Sequence, residues 1–250
     1  MAPFDFLPVA WHDTLPSTNT FLIEQVKANP DTPSGTVIAA RAQTAGRGRQ
    51  QRAWRAEANQ NLTFSFLWNE VVPAEHIPSL AQTLSVGIAH MLSDAGLTPF
   101  IKWPNDVLLD QKKIAGILCE VANVGERKPT TIVAGLGLNV NMNGEEAARV
   151  DQPATSMAIE TGRELDVEAA LDQLLAALTQ PINAWAQGGF PAIRSAYEER
   201  SYPPGSPITV RDGAHYTDGI HRGFNDDGAL LLETDGGDLR TLYSGDVLSR

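Results

Sequence analysis

Gly46-Arg47-Gly48-Arg49-Gln50-Gln51-Arg52-Ala53-Trp54 sets three arginines among two glycines and closes on a large aromatic residue. Glycine gives the backbone conformations that bring N–H groups close to a ligand, and guanidinium groups pair with phosphate or carboxylate through planar, two-point contacts. On that reading the stretch is a loop that closes over an anion, with Trp54 as an apolar wall. Taken alone it is equally a solvated basic loop or an arginine-glycine tract for nucleic acid. The rest of the chain decides between them.

The 250 residues carry 19 Lys and Arg against 30 Asp and Glu, a net charge of −11 that repels a polyanion unless cations are gathered locally. Nucleic acid is therefore not the expected partner. The length allows one large domain, or a domain plus a small appendage, with an ordinary apolar content of 42%. The single cysteine, Cys119, forbids an internal disulfide, disfavours a cysteine-built metal site and fits a reducing cytoplasm. Met1-Ala2-Pro3-Phe4-Asp5-Phe6 lacks a basic leader, and no segment approaches the apolar length of a membrane span. The expectation is a soluble cytoplasmic protein with no membrane partner.

Immediately before the arginine stretch, Thr36-Val37-Ile38-Ala39-Ala40-Arg41 reads as a strand that delivers Gln43 and the loop at its end. Further back, Ser17-Thr18-Asn19-Thr20 precedes a helical pattern of Phe21, Leu22, Ile23 and Val26. Ser17 and Thr18 either cap that helix or use its N-terminus to hold a ligand. After the loop, Leu62, Phe64, Phe66 and Trp68 alternate as in a strand with one strongly apolar face. Leu80, Leu84, Ile88, Met91, Leu92 and Ala95 then recur at helical spacing, with Gly96 where a terminating glycine sits.

Phe100-Ile101-Lys102-Trp103-Pro104-Asn105-Asp106 leads into a hairpin whose return strand is Lys113-Ile114-Ala115-Gly116-Ile117-Leu118-Cys119-Glu120. Pro104 removes a ladder donor, so a break there can turn Asn105 and Asp106 inward. Lys102 and Asp106 either form a local ion pair or belong to a site. Ala115 and Gly116, beside Lys113, leave room for something to lie close to the backbone. Thr131 to Asn141 reads as a buried strand interrupted by Gly135 and Gly137. It lacks the third glycine and the following helix of a dinucleotide fingerprint, so close packing on a ligand is the better account.

Residues 143–166 are polar and irregular at first, and a long amphipathic helix runs from Val167 through Leu178 and past Pro181 to Trp185. A short helical segment over 192–200 and a linker at Ser201-Tyr202-Pro203-Pro204-Gly205 follow. Beyond it, short strand candidates separated by Asp212-Gly213, Asp227-Gly228 and Asp235-Gly236-Gly237 predict a small all-β barrel. The expected domains are 1–201 and 202–250.

In their order and spacing, the Gln43 to Trp54 loop, Lys102-Trp103-Pro104-Asn105-Asp106, Lys113-Ile114-Ala115-Gly116-Ile117-Leu118 and Gly135-Leu136-Gly137-Leu138-Asn139 resemble the biotin protein ligase family. Four motifs in order are more specific than any one glycine pattern. The resemblance implies an α+β fold: a class II aminoacyl-tRNA synthetase-like catalytic domain with a mixed, mainly antiparallel sheet and packed helices, followed by an SH3-like barrel. It also implies an ATP-dependent ligase, with Mg²⁺, that makes biotinyl-AMP and transfers biotin to a lysine of the biotin carboxyl carrier protein of acetyl-CoA carboxylase or a related carboxylase. Sixteen residues precede Ser17, too few for the N-terminal DNA-binding domain of some members, so the monofunctional type is expected. Pro16 stands where members often have an acidic residue, which touches the geometry of that turn.

Carried over by position, Ser17, Thr18, Gln43, Gly46, Arg47, Arg49, Lys113 and Gly116 would bind biotin, and Trp54, Lys102, Asn105 and Asn139 the nucleotide. Arg47, Arg49, Lys113 and Asp106 would serve catalysis, with Asp106 also at the metal. A loop of arginines so close in sequence is expected to be mobile until an anion lies between them. For the transfer step, Asp106 is one candidate to take the lysine proton, and desolvation of the incoming amine is the other. Alternatives of other classes are a lipoate or octanoate protein ligase of related fold and a non-enzymatic biotin-sensing module. The family contains monomers and dimers, and a weak homodimer is the expectation here.

Overall fold

The computed structural model describes residues 3–55, 57–122 and 130–249. The strands are β1 (Val9–Leu15), β2 (Val37–Gln43), β3 (Leu62–Trp68), β4 (Phe100–Lys102), β5 (Asp106–Leu109), β6 (Lys112–Val121), β7 (Ile132–Leu138), β8 (Pro207–Asp212), β9 (His215–Phe224), β10 (Leu230–Thr234), β11 (Leu239–Leu242) and β12 (Asp246–Ser249). The helices are α1 (Thr18–Ala28), α2 (Leu80–Asp94), α3 (Gly144–Ala147), α4 (Met157–Thr161), α5 (Val167–Gly188) and α6 (Arg194–Glu198). Among them no helix is long and apolar enough to cross a membrane.

The first seven strands form one sheet in the order β1-β2-β3-β7-β6-β5-β4. Only β1 and β2 run parallel, and the other ladders are antiparallel, so the expected mixed, mainly antiparallel sheet is present. Phe64, Phe66 and Trp68 sit in the core on one face of β3, with Leu84, Leu92, Leu174 and Leu178 of α2 and α5 in the same cluster. β3 departs from the reading of a single apolar face, because all seven of its residues are buried. The cause is α1, whose Leu22 and Val26 join Leu67 and Val133 in a second core on the opposite side. Alternation puts successive residues on opposite faces, so covering both leaves none of β3 to solvent.

α1 covers only part of that second face. Register aligns Thr63 with Gly137 and Gly116, and Ser65 with Gly135 and Leu118, across β3, β7 and β6. Side chains in these rows are small or absent at the positions nearest the loop after β2. A hollow therefore remains on the sheet beside the N-terminus of α1.

α2 and α5 follow the apolar spacing read from the sequence, and α5 runs through Pro181 without interruption. α3, with a capping box at Asn143 and Glu146, and α4 interrupt the 143–166 segment. The C-terminal strands make a five-stranded antiparallel sheet ordered β11-β10-β9-β8-β12. Ile208, Val210, Phe224, Leu230, Leu232 and Val247 from this sheet belong to the same apolar cluster as α2 and β3. The contact is also polar: Gln82 Nε2 and Trp103 Nε1 donate to Gly228 O at 3.0 and 3.3 Å, and Arg194 Nη1 donates to Phe224 O at 2.6 Å. Composition changes at the linker, but the core does not.

Candidate active site

Ser17 precedes α1 in extended conformation, and its Oγ accepts from Thr20 N at 3.4 Å, so the capping reading holds. The same helix end faces the hollow. Thr18 N donates to Gln43 Oε1 at 2.8 Å, tying the end of β2 to the start of α1. Asn19, 4% exposed, donates to Leu118 O (3.1 Å) and Glu120 Oε2 (2.8 Å), while Ser65 Oγ donates to its Oδ1 at 2.6 Å. Gly135 is required for this: a methyl group there would overlap Asn19 Oδ1.

The arginine stretch is a short hairpin. Trp54 N donates to Gly46 O at 2.9 Å, Gly48 N donates to Arg52 O at 2.7 Å, and Arg47 bridges Ala53. Gly46 is needed for the close approach, since a Cβ would stand 2.5 Å from Trp54 O. A Cβ on Gly48 would make only ordinary contact, 3.5 Å from Arg52 O, and its backbone is extended with the N–H spent inside the hairpin. The left-handed residue is Gln50, at φ 54°. The expectation that both glycines aim N–H groups at a ligand is corrected accordingly.

Each arginine has its own partner. Arg47 Nη2 donates to Glu120 Oε2 at 3.0 Å and Thr20 Oγ1 at 3.2 Å; Arg49 Nη1 donates to Asn105 Oδ1 at 2.9 Å and Gly245 O at 3.3 Å. Arg52 Nη2 donates to Asp246 Oδ2 at 2.6 Å. Mutual repulsion, the reason given for a mobile loop, is thus already relieved by acceptors from β6, the Asn105 turn and β12. Sequence distance concealed this, because two of these acceptors, Gly245 and Asp246, lie nearly two hundred residues on.

Trp54 lies over the glycine rows: a Cβ on Gly137 would overlap its ring, and one on Gly116 would stand 3.3 Å from Trp54 Cζ3. Its buried indole N–H has no hydrogen-bond partner among the described residues. Lys113 Nζ lies 5.7 Å from the centre of that ring and 2.7 Å from Asp106 Oδ1. The last is an ion pair by distance whose angles fall outside hydrogen-bond geometry. Lys102 therefore does not take Asp106 as its local partner.

Two cavities meet at this point. The first, about 90 Å³, is lined by Ser17, Thr18, Gln43, Arg47, Arg49, Asn105, Asp106, Gly116, Gly135 and Gly137. The second, about 670 Å³, is lined by Lys102, Asn139, Met142, Val150, Tyr202 and Arg211 among others. Arg52, Ala53, Trp54, Lys113, Gln152 and Asp246 line both. Asn105, expected on the nucleotide side, falls in the first cavity, and Gly46 lines a separate recess behind the loop. The first cavity is below the 300 to 1,000 Å³ usual for ligand sites, roughly speaking, because the Trp54 ring occupies its floor.

Sequence reading missed Asn19, Glu120, Gln152 and Asp246. Asn19 was adjacent to the residues chosen. Asp246 had no signal, since β12 is four residues long and is defined by its pairing with β8. Burial opposes ionisation of Asp246, but hydrogen bonds from Arg211 and Arg52 and the charges of Arg52 and Lys102 outweigh it and hold the carboxyl below its ordinary value. Cys119, partly buried beside Glu120, has its thiol pushed up to about 12 by desolvation and stays protonated. Among the described residues no group of three or more His, Cys, Asp or Glu could hold a metal ion.

Residues 11–139 match the Biotin/lipoate A/B protein ligase family, and residues 205–250 match the Biotin protein ligase C terminal domain. The chain is 31% identical to the bifunctional ligase/repressor BirA of Bacillus subtilis, over 95% of this chain and 72% of that one. It is 34% identical to a biotin–[acetyl-CoA-carboxylase] ligase of Paracoccus denitrificans, over 87% of this chain and 92% of that one. A biotin protein ligase from Aquifex aeolicus, solved in complex with biotin and ATP, superposes with a TM-score of 0.78 at 26% identity, covering 97% of this chain and 98% of the other. Fold and site thus define a protein ligase with a synthetase-like catalytic sheet. The chain belongs to the biotin/lipoate protein ligase family.

Proposed function

We propose that this protein activates biotin with ATP as biotinyl-5′-AMP and transfers the biotinyl group to a lysine of a carboxylase carrier domain. The observation that carries this is the pair of adjoining cavities meeting at Lys113 and Trp54, one against the glycine rows and one lined by cations. The biotin ring system belongs in the first, between Thr18, Gln43 and Gly116, and the nucleotide in the second, beside Asn139 and Lys102. Lipoate ligation shares the first family description, but the match of residues 205–250 to a biotin ligase C-terminal domain favours biotin.

Biotin's carboxylate is ionised near neutral pH, at a carboxyl pKa of about 4 to 5, so its attack on the α-phosphorus needs no general base. A carboxylate-phosphorus bond forms, the bond to the β-phosphate bridge breaks, and pyrophosphate leaves. Lys113 at the junction and Arg49 in the first cavity neutralise charge that builds on the phosphoryl oxygens. Asp106, whose Oδ1 faces Lys113, is the carboxylate that would hold magnesium, and the ion bound with ATP would supply further neutralisation of phosphate charge. In the second half-reaction the carrier amine attacks the acyl carbon and AMP leaves with the bonding pair. Asp106 is the acceptor at hand for the amine proton.

For the ring to enter, Trp54 must leave the floor of the first cavity, which makes the arginine hairpin a moving part. The carrier has a docking edge on β6 over Cys119–Val121, beyond Ile117 and Leu118, whose backbone groups are held by Asn105 and Asn19. The same edge serves a weak homodimer, checked by sedimentation across concentration with and without ligands. Incubation with biotin, ATP, Mg²⁺ and a biotin carrier domain, followed by intact-mass measurement, tests the function. A gain of one biotinyl group on the carrier is expected; no gain with biotin but a gain with lipoate would overturn the reading.

A further inference from the structure

The second cavity is cationic in an acidic protein. Arg52, Arg55, Lys102, Lys113 and Arg211 line it against only Asp151 and Asp246 among acidic residues, in a chain of net charge −11. Arg52 and Arg211 converge on one oxygen, Asp246 Oδ2, at 2.6 and 2.9 Å. Two guanidinium groups on a single carboxylate oxygen, with a third cation near, is how a protein holds a phosphate group. Asp246 stands there as a built-in anion, only 14% exposed.

The placement is fixed by backbone. Arg211 on β8 pairs directly with Asp246 on β12. Gly245 before it sits at φ 137°, where a Cβ would stand 2.6 Å from Val210 Cγ1, so β12 is seated tightly on β8. The C-terminal sheet thus presents one cation and one anion, beside Val247 and Leu248, to a cavity whose other walls come from the catalytic sheet, the arginine hairpin and the 150–154 segment.

We infer that Arg211 binds the β- and γ-phosphates of ATP and the departing pyrophosphate, with Asp246 occupying the same guanidinium groups until the polyphosphate displaces it. The inference rests on the function proposed above and gives the C-terminal sheet a direct hand in substrate binding. Exchange of partners leaves Arg52 and Arg211 charged and paired in both states, so neither guanidinium is stranded. An unpaired carboxylate then swings towards water.

The test uses the full chain and inorganic pyrophosphate as the probe. Arg211→Ala should raise the KM for ATP and the inhibition constant for pyrophosphate together, each by about tenfold, the loss of one charge-assisted contact. Biotin affinity measured without nucleotide should stay put, and Arg211→Lys should recover part of the loss. Asp246→Asn, which removes the competing anion, should bind pyrophosphate as tightly as wild type or more tightly. If Arg211 merely braces β12, Arg211→Ala and Asp246→Asn would weaken both ligands equally, and that result overturns the inference. So would unchanged ATP and pyrophosphate constants in Arg211→Ala. Arg222→Ala, whose side chain pairs with Glu233 elsewhere on the sheet, is the control for a general loss of positive charge. Absence of biotin-dependent pyrophosphate release in the wild type would defeat the proposed function instead, so the two failures are distinct.

Discussion

Replacing Lys113 with methionine keeps the alkyl stem against Gly116 and Trp54 while deleting the charge. The ion pair it breaks has its nitrogen 2.7 Å from Asp106 Oδ1, with side chains only 16% and 12% exposed. At that separation and an effective dielectric of about 20, the attraction is about 6 kcal/mol before desolvation is counted. Removing one member of a fully buried pair costs about 3–5 kcal/mol because the other charge is stranded, and partial exposure lowers the expectation to about 2–4 kcal/mol. Adenylation should fall further than stability, by a factor of about 10²–10³, if the amine stabilises the developing phosphoryl charge. Denaturant unfolding gives the first quantity and biotin-dependent pyrophosphate release the second. Adding Asp106→Asn separates them: it removes the stranded charge, so stability should return to within about 1 kcal/mol of wild type while adenylation stays slow. Recovery of the rate along with stability in the double variant would refute the reasoning and leave Lys113 a structural partner of Asp106.

Gly137→Ala should displace the Trp54 ring, cost about 1–3 kcal/mol by overpacking and raise the KM for ATP; an unaltered KM would show that the ring position is unimportant. Asp246→Asn should speed tryptic cleavage after Arg52 in the free protein, with biotin and ATP together suppressing it, as read by peptide mass; equal cleavage in both proteins would remove Asp246 as an anchor of the hairpin. A chain cut after Ser201 should fail to fold stably, because Gln82, Trp103 and Arg194 lose their partners and the shared apolar cluster opens, and a cooperative thermal transition in the fragment would contradict the single core. His221 is 1% exposed, and burial pushes its pKa down more than the nearby carbonyls of Pro203 and Gly223 raise it. The unfolded chain then binds the proton first as pH falls below about 6.5, so stability should drop there until the lower folded pKa is reached, by at most about 1.4 kcal/mol per pH unit. His221→Phe should flatten that slope, leaving the share due to His90, whose pKa burial also lowers.

The parts of the fold that were legible are those whose burial leaves a periodic trace. α2 and α5 bury a continuous stripe, and Phe64, Phe66 and Trp68 bury alternate positions, so spacing alone located them. β12 left no such trace, since only Val247 and Leu248 are apolar and its partner is sequence-distant β8. Along the catalytic sheet, Gly116, Gly135 and Gly137 were legible as places of close approach. What approaches was not: Asn19 fills the space at Gly135 and Trp54 that at Gly137, and neither contact follows from local pattern. The arginines were legible as anion binders, but their resting acceptors Glu120, Asn105 and Asp246 are supplied by tertiary structure. The division at residue 201 was read from composition, which reports linker chemistry and is blind to whether the core on either side is shared.

The hairpin's three arginines are moored separately, Arg47 to Glu120, Arg49 to Asn105 and Arg52 to Asp246. Arg47 and Arg52 are 44% and 51% exposed, so water competes at both and each mooring is worth about 1 kcal/mol or less. Ties of that size part and re-form independently, and the full set rarely lets go at once. The hairpin can therefore peel from either end. A ligand advancing from the Glu120 side or the Asp246 side meets one mooring at a time, so the barrier to entry is that of a single tie while the resistance to complete opening is that of all three. Fast admission and a long-lived closed state, usually in competition, are then set by different steps of the same motion.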